Sequence, residues 1–92
     1  MWVVNNTKER IKIYLKSDIE SNITNVTDAS NRIHDTIAAI NRATAGTTSG
    51  VDRRMVDDCQ RVLQEFQTAL QNLYACRNYV DSLETMEWID DE

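Results

Sequence analysis

The chain has 92 residues, a length that suits one domain. Fifteen acids against ten bases give a net charge of −5, the wrong sign for a protein that neutralises nucleic-acid phosphates. Two Gly and no Pro leave little from which to build hairpin turns, which argues against an all-β fold, and a 41% hydrophobic share is too high for a disordered tail. No apolar run approaches the roughly 18 residues of a membrane span, and the three-residue apolar stretch near the start does not make a secretory signal peptide.

Residues 1–16 form a basic N-terminal segment. Ile11, Ile13 and Leu15 alternate with Lys12, Tyr14 and Lys16, the period-2 pattern of a half-buried extended stretch. Ser17-Asp18-Ile19-Glu20 then has the form of a capping box and predicts a helix over 17–45. Within it Ile19, Ile23, Val26, Ser30, Ile33, Ile37, Ile40 and Thr44 recur at alternating steps of four and three, a heptad seam interrupted by polar positions.

A short turn is expected at 46–49. Gly46 suits the left-handed position after a helix, and Ser49 with Asp52 suits the next helix start. So short a link returns the second helix antiparallel to the first.

The second helix is expected over 50–86 and to be the longer of the two. Its apolar stripe is wider than one seam. One line runs through Val56, Leu63 and Leu70, and another through Met55, Val62, Ala69 and Cys76. Phe66, Leu73 and Val80 are common to both, and Cys59 and Leu83 extend the stripe. A helix that buries two adjacent faces meets more than one neighbour. Residues 87–92 form an acidic tail. Across 77–92 there are six acids and one Arg, opposite the basic 1–16 segment in a hairpin.

The fold class is therefore all-α: one antiparallel helical hairpin over 1–92 with a short extended N-terminal segment. One shared seam does not offset the entropy of ordering about 65 helical residues. The hairpin is therefore expected to complete a four-helix-type bundle with a partner or a second copy. The candidate interface is Met55, Val56, Cys59, Val62, Leu63, Phe66, Leu70, Leu73, Val80 and Leu83 on the second helix, with Ile33, Ile37 and Ile40 on the first.

No catalytic set, metal site or cofactor motif is legible. His34 has no Cys or His at metal-ligand spacing, and Ala45-Gly46-Thr47-Thr48-Ser49-Gly50 lacks the Gly-Lys-Ser/Thr ending of a phosphate loop. Cys59 and Cys76 lie about 25 Å apart along one helix, out of disulfide reach, and are read as buried free thiols, which fits folding in a reducing compartment. The Asn-x-Ser/Thr sites at Asn5, Asn22 and Asn25 are read as chance matches. Trp2 and Trp88 fall near opposite ends of the chain, which a hairpin brings together. They form either an aromatic clasp or, with Met86 and Ile89, a docking surface.

A hairpin of this size with a Gly-bearing turn and an acidic, aromatic-containing tail resembles the WxG superfamily of small type VII secretion substrates. It is most similar there to the small helical partners of LXG toxins in Gram-positive bacteria. Some of those partners also open with an Ile-Lys-Ile-like stretch, here Ile11-Lys12-Ile13. The Trp-x-Gly turn of the superfamily is replaced by Thr48-Ser49-Gly50, and LXG partners often lack that Trp. Trp88-Ile89-Asp90-Asp91-Glu92 has the aromatic-xxx-acid spacing of the secretion signal, with Trp88 and Glu92 in the two marked places. The resemblance implies a non-enzymatic targeting factor that binds the helical N-terminal region of a larger toxin. It would fold in the cytoplasm and leave the cell with its cargo. Two other readings stay open at this point: a homodimeric four-helix adaptor, and a small acidic antitoxin or immunity protein.

Overall fold

The computed structural model describes residues 1–45 and 50–90. Four elements follow one another: β1 (Trp2–Val4), α1 (Asn6–Ala43), α2 (Gly50–Asp81) and β2 (Met86–Trp88). The helices pack as an antiparallel hairpin, and the strands pair antiparallel at its open end. The result is a rod of 81 × 15 × 12 Å.

The first helix starts eleven residues before the expected Ser17. Asn5 is the cap, with extended backbone at φ −81°, ψ 103°, and its Oδ1 accepts the Lys8 N–H at 3.0 Å. The position three residues past the cap is Lys8 and not Glu or Gln, so the reciprocal half of a capping box is missing and the start is hard to read. Residues 6–16, expected in the extended N-terminal segment, are helical. Their alternation of apolar and polar residues is incidental: Leu15 is half-buried, while Ile11, Ile13 and Tyr14 face solvent. The heptad seam continues backward through Lys12, whose aliphatic stem occupies a position that Ile19 fills one repeat later. At 38 residues against 32, α1 is the longer helix, reversing the expectation.

The second helix stops at Asp81, five residues short of the expected 86. No basic residue stands in its last turn, and Asp81 and Glu84 oppose the negative pole of the helix dipole. The missing positive charge comes from α1: Lys12 Nζ donates to the carbonyls of Asp81 at 3.0 Å and Leu83 at 3.1 Å. The chain then turns, and Glu84 Oε1 accepts the Met86 N–H at 2.8 Å where β2 begins. The turn expectations for Gly46 and Ser49 lie outside the described residues.

The strands pair in the register Trp2–Trp88, Val3–Glu87 and Val4–Met86. Flanking bonds run from the Asn5 N–H to the Thr85 carbonyl (2.7 Å) and from the Ile89 N–H to the Met1 carbonyl (2.8 Å). Ion pairs Lys8–Glu87 and Lys16–Asp81, each 3.0 Å, tie the same end together. The expected attraction between the basic start and the acidic end is thus made of specific bridges.

The core is thin. Among the described residues only Val80 is a buried hydrophobic, at 6% exposure, and no residue of α1 is fully buried.

Candidate binding surface

In α2 the half-buried or buried positions Val56, Cys59, Leu63, Phe66, Leu70, Leu73, Arg77 and Val80 are spaced three and four apart, one heptad seam facing α1. Ile33, Ile37 and Ile40 of α1 are half-buried in the same way. Most of the residues expected at a partner interface are therefore in the hairpin's own seam. Leu83 is half-buried just past the helix end.

The second stripe lies beside that seam. Met55, Val62, Ala69 and Cys76 repeat every seven residues, each one place before a seam residue. Met55 is 46% exposed, Val62 and Ala69 are half-buried, and Cys76 is exposed. The reading of Cys76 as a buried thiol is thereby corrected; the helix turns its stripe edge outward there. Cys59 is half-buried, and both thiols are free.

On α1 the same flank carries Ala29 and Thr36. They line a surface cavity with Asn25, Asp28, Arg32 and Ile33, and Phe66 of α2 reaches into it from the seam. A neighbouring groove on α2 is lined by Arg61, Gln64, Glu65, Thr68, Ala69 and Asn72. The opposite flank is largely polar. It carries Gln60, Gln67, Tyr74 and Asp81 on α2, with Tyr74 41% exposed, and the bridges Lys16–Asp81 (3.0 Å) and Glu20–Arg77 (3.7 Å) run along it. Arg77 also lies 4.9 Å from the centre of the Tyr74 ring. Beside the seam, one flank thus carries the small and apolar Met55, Val62, Ala69, Cys76 and Ala29, with polar residues at its margin, and the other carries charges and amides around the Tyr74 ring.

A third surface lies at the strand end. Trp2 and Trp88 meet edge to face, with ring centres 5.6 Å apart, yet stay 61% and 58% exposed. The clasp and the exposed surface are the same residues. The Trp88 indole N–H donates to Asp90 Oδ1 at 2.7 Å. Trp2, Val4, Met86 and Trp88 share one face of the ribbon, because paired residues of a strand pair point the same way. The other face holds Val3 and Glu87, both half-buried. The Glu87 Oε1 atom accepts from Asn5 Nδ2 at 2.8 Å and pairs with Lys8 at 3.0 Å. These contacts, the Asn5 hydrogen bond foremost, hold its carboxyl below the ordinary value of 4.5.

Of the twelve large apolar side chains that are exposed among the described residues, ten lie within residues 1–14 and 79–89, so the strand end is the greasier part of the described surface. Trp2, Met86, Trp88 and Ile89 are legible there from the sequence; Met1, Tyr79, Val4, Ile11, Ile13 and Tyr14 are not. The last three lose their signal when taken as a strand rather than as one side of a helix. Glu92 lies outside the described residues. His34 is exposed, and among the described residues no cluster of three metal-ligating side chains occurs. No described helix is long and apolar enough to cross a membrane.

No protein-family model, curated protein or solved structure matches the chain.

Proposed function

We propose that the protein is a non-enzymatic helical binding partner of a larger toxin of the LXG type, exported by a type VII system. The toxin's N-terminal helices would lie along the Met55–Val62–Ala69–Cys76 flank and turn the hairpin into a multi-helix bundle. In this reading the pair folds in the cytoplasm and leaves the cell together, with Trp88 and Glu92 marking it for export.

The observation that carries this reading is surplus surface. The chain exposes 7174 Å², where a compact monomer of its mass exposes about 5,500 Å². The surplus, about 1,700 Å², is roughly twice what one partner contributes to a standard protein interface. It is accompanied by the Met55–Val62–Ala69–Cys76 stripe beside the seam, and amphipathic helices seat on such stripes through side chains at three- and four-residue spacing.

The test is co-expression with the helical N-terminal region of a toxin encoded beside this chain, followed by co-purification. A stable complex that is lost in Ala69→Glu and kept in Gln67→Glu supports the reading. A complex lost only in Gln67→Glu, or no complex with any adjacent toxin, overturns it. Trp88→Ala is expected to leave the complex intact and to stop export.

A further inference from the structure

We infer that two copies of this chain join through the outer edge of β1, giving a four-stranded antiparallel sheet in the order β2–β1–β1–β2. The ribbon alone carries this contact, independently of any toxin partner.

Antiparallel pairs alternate between residues that exchange hydrogen bonds and residues that do not. Met1 and Ile89 exchange both bonds, and the Asn5 N–H donates to Thr85, so the bonded pairs fall at 1–89, 3–87 and 5–85. Trp2 and Val4 therefore turn their N–H and carbonyl groups away from β2, where no partner meets them among the described residues. Met86 and Trp88 do the same on the far edge.

The two edges differ. On the β2 edge the Met86 N–H is already taken by Glu84 Oε1, and Asp90 follows just after Trp88. Carboxylates at both ends guard that strand against pairing. The β1 edge is Trp-Val-Val, with no charged side chain and no Pro, and among the described residues no side chain bonds to it.

That edge is self-complementary. A two-fold axis through Val3 sets Trp2 opposite Val4 of the second copy and Val4 opposite its Trp2, so that four N–H···O bonds form. The same axis keeps Trp2, Val4, Met86 and Trp88 of both copies on one face, making one continuous apolar surface from two small ones. Because β1 runs into α1, antiparallel pairing sends the two rods in opposite directions and brings no helix against another. The contact is short, which places it among weak, reversible associations.

The geometry has a direct readout. Two rods of 81 Å overlapping by a three-residue ribbon span about 150 Å. Small-angle scattering over a concentration series is expected to show a dimer of that maximum dimension. Val4→Pro removes one outward donor per copy without touching a bond inside the ribbon, and should raise the dimer dissociation constant by about tenfold or more with helicity unchanged. Amide exchange gives a second measure that needs no variant: the Trp2 and Val4 amides slow as concentration rises, and the Trp88 amide does not. A monomer up to millimolar concentration overturns the inference. So does a dimer about 80 Å long, which is a side-by-side bundle, or protection of Trp88 instead of Trp2 and Val4.

Discussion

Asn5 Nδ2 donates to Glu87 Oε1 at 2.8 Å across 82 residues of sequence, while Asn5 Oδ1 caps α1 through the Lys8 N–H. One side-chain amide thus starts the first helix and fastens the last strand to it. Lys8 closes the arrangement by pairing with the same carboxylate.

That carboxylate makes the strand end sensitive to acid. The folded pKa of Glu87 lies below its ordinary value, so its contribution is present at neutral pH and fades as pH falls through the lowered value. In Asn5→Ala the Glu87 pKa should return upward in a carbon-detected NMR titration, because its largest cause is gone. The lost cap should also cost about 0.5–2 kcal/mol of stability. An unchanged Glu87 titration in that variant would contradict the assignment.

Lys12 should matter more than a surface lysine. Its ammonium serves two carbonyls at the end of α2, where the helix has no basic residue of its own. Lys12→Met keeps the stem in the seam and removes the charge. It is expected to cost about 1 kcal/mol and to lower the thermal midpoint by about 4–8 °C. Arg10→Met, on an exposed position, is the control and should move the midpoint far less.

Ser30 sits in the α1 seam with its hydroxyl oxygen shut off from solvent and without a hydrogen-bond partner among the described residues. Ser30→Ala removes an unpaired polar atom and improves helix propensity. Thermal unfolding should show stabilisation of about 0.5–2 kcal/mol. A destabilised variant would mean that the hydroxyl is satisfied in solution.

Cys76 provides a probe of the apolar flank. Its thiol is exposed and one step off the seam, whereas Cys59 is half-buried in it. In the isolated protein Cys76 should alkylate with iodoacetamide well before Cys59. Bound toxin helices on that flank should slow Cys76 at least as much as Cys59, and a partner on the opposite flank would leave Cys76 unaltered.

What the sequence made legible was periodic. Ile19 to Ile40, and Val56 to Val80, repeat over three heptads or more, and burial follows that spacing. The helix start was hidden because Asn5 caps without an acid at Lys8, and because Lys12 occupies a seam position with a residue counted as polar. The ribbon was hidden for a different reason. Trp2–Val4 and Met86–Trp88 are three residues each, too short for a pattern, and their pairing is decided by the hairpin bringing distant ends together. The second stripe was legible as a stripe, but not as a flank, since Val62 and Leu63 are adjacent and both half-buried, and only the placement of α1 makes one of them seam and the other edge.

The contact between Trp2 and Trp88 also equips the molecule with an internal optical gauge. The chain has no other tryptophan, and the pair bridges its two extremities. Near-ultraviolet dichroism and indole emission therefore report whether those extremities are joined, while the peptide bands report the coiled middle. A heating experiment that follows both wavelengths separates parting of the ends from melting of the body, with no dye attached.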